Sequence, residues 1–286
     1  MRSRQFLNAL LLIMTVVLIW ATTQVPHQKS PPGETRVMPL DRLDPDAITE
    51  IRLHYPNRPD ITLRYSNRHW RMLTPRLARA DETRIRSLLN ITAEKSETGF
   101  RAAGNDLSQY GLEPAKARLW FNDLHLDIGN REPLSGQRYV RLDDQVYLID
   151  DAWSGYLFST TLEFVSPRLL PAGAHPVRIQ LLHERWEFRQ NHWQRYPAAA
   201  TASDDSDGAA LANAWSRARA RAVQTFNPKL PWQGPLRVDT QANAGPFKFE
   251  YADTTAGLIL GRRDAGLQYL LKAASAAALL GTADRP

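Results

Sequence analysis

The chain has 286 residues, a length that suits one long or two ordinary domains. It carries 36 Lys and Arg against 30 Asp and Glu, a net charge of +6 spread along its length, without the clustered basic stripe of a nucleic-acid surface. It has no cysteine, which excludes disulfides, thiolate metal sites, an acylated lipoprotein cysteine and a cysteine nucleophile.

The first element is "MRSRQFLNALLLIMTVVLIWATTQVP". Arg2 and Arg4 are followed by no Lys, Arg, Asp or Glu until Lys29, and the apolar core runs from Phe6 to Ala21. This is the charge and hydropathy pattern of a secretory signal or a signal anchor. Bulky Ile19 and Trp20 stand where a cleavage site needs small residues, and Trp suits a membrane interface, so the reading is an uncleaved anchor. The positive-inside rule then puts Met1 in the cytoplasm and the rest of the chain across the inner membrane, in a bacterium the periplasm. The mild basic excess fits a place beside an anionic membrane surface. "PHQKSPPGETRVMPL" reads as a Pro-rich tether.

The folded part opens with "ITEIRLHYPNRPDITLRYSNRHWRML". Its apolar residues alternate, broken by two turn-forming stretches, and predict three short antiparallel strands. A helix follows, capped by Asp81, with Ile85, Leu88, Leu89 and Thr92 on one face. A short turn starts at Asp106, ends at Gly111 and is stopped by Pro114. "ARLWFNDLHLDIG" and "QRYVRLDDQVYLID" read as two hairpins turning at Asn122-Asp123 and Asp143-Asp144. "DDAWSGYLFSTTLEFV" is expected to be one helix, capped by Asp150 or Asp151 and ending before Pro167.

The second half repeats this order. "PVRIQLLHERWEFRQNHWQRYP" alternates like the first meander, an Ala-rich helix follows, and strands and a final helix complete it. Setting His69-Trp70 against His192-Trp193 brings Asp81 opposite Asp204 and "DDQVYLIDDA" opposite "DAGLQYLLKA". Matches in the same order indicate an internal duplication. The expected fold is α+β: two related lobes of antiparallel β-meander plus helices, preceded by one N-terminal transmembrane helix. The expected division is an anchor over 1–25, a tether over 26–46, a first lobe over 47–170 and a second, diverged lobe over 171–286.

Tyr110-Gly111-Leu112-Glu113-Pro114, Ile128-Gly129, Gly136 to Arg141 ("GQRYVR") and Val146 to Asp150 ("VYLID") follow one another in the first half. In this order they resemble a family known as DUF4340, over roughly residues 48–165. The resemblance implies a membrane-anchored envelope protein, in some cases associated with ABC-transporter or gliding-type systems. It supplies no catalytic residues.

The candidate sites are few. "HERWE" at His183 lacks the second His of a zinc-protease helix and lies in a strand-like pattern that would point His183 and Glu184 to opposite faces. His69 and His192 each precede a Trp, and alternation turns the Trp inward and the His outward. Asp143-Asp144 reads as a hairpin turn, and Asp150-Asp151 and Asp204-Asp205 as helix caps, not as glycosidase carboxylates. Trp70, Trp120, Trp153, Trp186, Trp193 and Trp215 read as core anchors. "AWSRARARA" reads as a basic helical face. In "GNREPLSGQRYVR", Arg131, Arg138 and Arg141 are either solvated or a surface for an anionic ligand or partner. No catalytic residue, metal or cofactor is expected. The expected function is a non-enzymatic scaffold or accessory subunit of an envelope complex, with an envelope protein and the membrane as partners and no nucleic acid. The alternative is a binding module for an envelope polymer such as peptidoglycan or glycan.

Overall fold

A computed structural model describes residues 43–281, apart from 97, 199–203, 242–244, 256 and 273. The expected anchor over 1–25 and the tether as far as residue 42 lie outside the described residues. Among the described residues no helix is long and apolar enough to cross a membrane.

The first meander is β1 (Glu50–Tyr55), β2 (Arg58–Ser66) and β3 (His69–Thr74), antiparallel as the alternation predicts. Ile51, Leu53, Ile61, Leu63, Trp70 and Met72 are buried together on one face. Asn67 and Arg68 have φ of 53° and 65°, the two left-handed positions of a type I′ hairpin turn. A short β4 (Ala78–Arg79) leads to α1 (Glu82–Leu89). Asp81 accepts a hydrogen bond from the Thr83 N–H at 3.1 Å, so the predicted cap is in place, and Ile85 and Leu88 turn into the core. After β5 (Gly99–Arg101) comes a 3-10 turn at Leu107–Tyr110, capped by Asp106 and closed by Gly111 at φ 66°.

The two predicted hairpins are β6 (Ala117–Phe121) with β7 (Leu124–Arg131), and β8 (Arg138–Leu142) with β9 (Gln145–Ile149). Gly129 on β7 lies under the 3-10 turn, where a Cβ would collide with the Tyr110 carbonyl oxygen. The Tyr-Gly-Leu step and the Ile-Gly step of the sequence therefore meet in space. Ala102, Leu107, Leu112 and Val146 form a small second core beneath that turn.

The segment expected to be one helix over 151–166 is broken. It forms α2 (Ser154–Leu157) and a separate 3-10 turn, Thr161–Phe164. Thr160 is extended between them, and its capping box with Glu163 starts a new turn instead of continuing the old one.

The second half contains β10 (Pro176–Gln180), β11 (Arg185–Arg189), β12 (His192–Tyr196), α3 (Asp204–Arg217), β13 (Ala222–Thr225) and β14 (Gln233–Thr240). β15 (Phe247–Thr254), β16 (Gly257–Arg262), β17 (Leu267–Leu270) and α4 (Ala274–Leu280) complete it. α3 ends at Arg217, so the basic helical face expected in "AWSRARARA" does not form. The Ala220 and Arg221 N–H groups are taken by the carbonyls of Pro167 and Leu270.

The two sheets have one topology. The first runs β4-β3-β2-β1-β6-β7-β8-β9-β5 and the second β12-β11-β10-β14-β15-β16-β17-β13. Apart from β4, each strand has a counterpart in the same place. The detail agrees as well. Tyr65 and Trp70 pair across their hairpin with ring centroids 5.5 Å apart, and Phe188 and Trp193 do so at 5.5 Å. Gln190 and Asn191 repeat the left-handed turn at φ 51° and 68°. Leu63 corresponds to Trp186, and at the same spacing Ile85 corresponds to Gly208. The larger sheet side chain is matched by the loss of a helix side chain: Gly208 lies against both Trp186 and Trp193.

The halves share one hydrophobic core, which runs from Ile48 to Leu280. A connecting strap over 165–170 is paired on both sides. Val165 bridges Ala80 of the first half, and Arg168 bridges Arg219 of the second. Arg79 donates to the carbonyls of Arg168 and Leu169 at 2.7 and 2.8 Å, and Arg76 donates to Gly266 at 2.8 Å. Burial lowers the Arg79 pKa and raises that of Tyr269 beside it.

Candidate functional site

Among the described residues the inner faces are filled by the core, and the candidate side chains lie on the outer faces and in the connections. His69 and His192 do point outward beside their buried Trp partners, and each has its own contact. His69 lies 3.5 Å from Glu82, while His192 Nδ1 is 3.1 Å from the Gln190 carbonyl. Among the described residues no group of three or more His, Cys, Asp or Glu side chains is placed to hold a metal. His183 and Glu184 lie in the bend between β10 and β11, not on a strand as expected. Glu184 turns inward and accepts the Trp186 indole N–H at 2.9 Å. A Pro-free four-residue connection before Arg185 is enough to take them out of the alternation.

The three arginines singled out in the sequence are held by carboxylates. Arg138 is 12% exposed and chelates Asp151 at 2.5 and 3.0 Å. Arg141 holds Asp127 at 2.5 Å and Glu113 at 3.0 Å. Burial opposes the Arg141 charge, but the two carboxylates outweigh it and hold its pKa above the ordinary value. Arg131 remains 66% exposed, folded back on the Gly136 carbonyl at 2.8 Å. The loop is thus a closed ion-paired structure with one guanidinium at its rim.

The carboxylate pairs divide their work. Asp143 sits in the hairpin turn at φ 54°, as expected. Asp151 and Asp205 are not caps: Asp151 serves Arg138, and Asp205 accepts the Trp193 N–H at 2.7 Å on edge strand β12.

Trp70, Trp153, Trp186, Trp193 and Trp215 are buried, but Trp120 is not a core anchor. β6 directs Leu119 and Phe121 inward and Trp120 outward, where it stacks on His125 at 4.7 Å with Arg52 5.4 Å from the ring. A groove of about 220 Å³ beside it is lined by His54, Asp60 and Arg118, with His54 Nδ1 2.8 Å from Asp60.

The second sheet's outer face was not legible as a site in the sequence. Arg178 of β10 and Arg185 and Arg189 of β11 converge on Glu187, at 3.0, 3.1 and 2.6 Å. Arg237 of β14 pairs with Asp239 at 3.0 Å. A groove of about 480 Å³ lies over this cluster. The available signal was the register: in the two halves "ITEIRL" corresponds to "PVRIQL", and "RYSNRHW" to "EFRQNHW".

A family model described as "Domain of unknown function (DUF4340)" matches residues 70–230, from Trp70 through α3 and β13. The matched span therefore crosses the strap and enters the second sheet, further along the chain than the resemblance at 48–165 suggested. Neither the curated proteins nor the solved structures contain a significant match.

Proposed function

Since the chain belongs to the DUF4340 family, we propose that it is a single-pass inner-membrane protein whose folded part lies in the periplasm. There it acts as a non-enzymatic scaffold or accessory subunit of an envelope complex, of which a transporter is one candidate. The observation that carries this reading is the architecture. Two sheets of one topology sit on a shared core and leave broad outer faces to solvent, rich in Arg–carboxylate pairs. Charged, open, rigid faces of this kind suit protein docking, where complementary potentials set specificity. The N-terminal apolar segment with Arg2 and Arg4 supports the anchor. In-membrane crosslinking and co-purification of the full-length chain test the reading. One envelope protein is expected to co-purify in stoichiometric amount, and none above background overturns it.

A second reading is a binding module for an envelope polymer such as peptidoglycan or glycan. Trp120 favours it: an outward, half-buried indole beside His54, Asp60 and Arg118 resembles a sugar-stacking platform. Retention of the chain on purified peptidoglycan, lost in Trp120→Ala, would support this reading over the first.

A further inference from the structure

The two sheets invite comparison position by position on their outer faces. Glu50 pairs with Arg64 across β1 and β2, and Arg178 pairs with Glu187 at the same place across β10 and β11. The ion pair is kept and its polarity is reversed. The neighbouring positions diverge further. Thr62, Ser66 and Trp120 in the first sheet correspond to Arg185, Arg189 and Arg237 in the second, and Arg52 corresponds to Gln180. Over these six positions the first sheet holds two arginines and one glutamate, and the second four arginines and one glutamate.

The glutamate lies beneath the arginines. Glu187 is 4% exposed, whereas Arg178, Arg185 and Arg189 are 43%, 42% and 58% exposed. One carboxylate cannot satisfy three guanidiniums of five N–H donors each, and Asp239 of β14 adds only its pairing with Arg237 at 3.0 Å and a 4.0 Å approach to Arg178. It aligns them, and their outer N–H edges stay turned to solvent. Like charges packed across neighbouring strands repel, so such a cluster is favoured when an anion completes it. The groove above it has about 480 Å³, within the usual range of ligand sites. Its walls also carry Val177 and Pro246. Phosphate or a polyphosphate would leave these apolar walls unused.

We propose that the outer face of β10, β11 and β14 docks an acidic segment of a partner protein, with carboxylates on Arg178, Arg189 and Arg237 and an apolar side chain against Pro246. The inference draws on the scaffold reading in naming a protein as the occupant, and the face itself can be tested apart from that reading. Full-length chain in nanodiscs is titrated with a fluorescent peptide of Glu-Glu-Phe repeats, followed by anisotropy. The peptide is expected to bind, more weakly as salt rises. Arg189→Gln and Arg237→Gln are each expected to weaken it about tenfold, the loss of one charge-assisted contact. Each variant is read alone, so misfolding of one leaves the other decisive. Arg64→Gln, at the Glu187 position of the first sheet, is expected to bind as the unmodified chain does. Absence of binding overturns the proposal, as does an equal loss in Arg64→Gln. Capture by phosphatidylglycerol vesicles that the two variants abolish, without peptide binding, overturns it in favour of a lipid surface. Peptide binding with no co-purifying envelope protein sustains the face and refutes the scaffold. Undiminished co-purification of a partner by both variants, without peptide binding, does the reverse.

Discussion

Alanine at Gly208 sets two effects of opposite sign against each other. Gly208 lies within α3, and Gly→Ala in an open helix interior stabilises by about 0.8–1.0 kcal/mol. Here a Cβ would stand 2.6 Å from Trp193 Cγ and 2.9 Å from Trp186 Cε3, and closer still to Trp193 Cβ. Carbon atoms in good contact are roughly 3.5–4.0 Å apart. Trp193 Cβ is fixed to the sheet backbone and cannot yield by a change of rotamer. Both indoles are buried, at 6% and 4% exposure, so there is no solvent side to move into. Overpacking of this kind costs about 1–3 kcal/mol, and contact with a Cβ places the cost toward the upper end. The net expectation is a loss of about 1–2 kcal/mol after the helix gain is subtracted. Urea unfolding of the purified chain, fitted for midpoint and slope, measures it. Gly155→Ala in α2 is the control: nothing lies within 4 Å of its Cβ, so a rise of up to about 1 kcal/mol is expected. Gly208→Ala at or above the stability of the unmodified chain would refute the packing argument and its matching of Trp186 to Gly208.

Two further outcomes follow from the caps and the junction. The Ser108 hydroxyl and N–H both donate to Asp106, at 2.6 and 3.0 Å, and hold its carboxyl below its usual pKa. Its contribution is therefore present above the unfolded-state carboxylate value and lost as pH falls through the lower folded-state value. The stability gap between the unmodified chain and Asp106→Asn should shrink with acidification in that window, and a gap constant from neutral to strongly acidic pH would contradict the assignment. Arg79→Ala removes both donors from the strap carbonyls of Arg168 and Leu169 and should cost on the order of 2–3 kcal/mol in urea unfolding. A change below about 0.5 kcal/mol, the range of neutral surface substitutions, would mean that water replaces the guanidinium there without loss.

What the sequence conveyed follows the strength of each local signal. Ile51, Leu53, Ile61 and Leu63 alternate cleanly, and Asp81 and Asp106 stand where caps belong, so β1, β2, α1 and the 3-10 turn were legible. β4, β5 and β13 were not: two to four residues are too few to show a period, and the partners of β5 and β13 are distant in sequence. The helix expected over 151–166 failed because the Thr160 capping box competes with helix continuation. Residue type alone makes Trp120 read as a core anchor, whereas alternation along β6 turns it away from the face that Leu119 and Phe121 bury. Arg131, Arg138 and Arg141 were found from composition, but their partners Asp151, Asp127 and Glu113 come from other elements. The Glu187 cluster needed the cross-strand register, which sets β10, β11 and β14 side by side.

The strap over 165–170 has a mechanical consequence. A linker of Gly and Ser would let two beads swing, and a pull on one would be dissipated in slack. This segment is stitched to Ala80 on one side and Arg219 on the other. It acts as a rivet: neither half can be peeled away without opening pairs on the other, and a tug entering at β1 would reach β14 through hydrogen bonds and packed side chains, with no free chain to take it up.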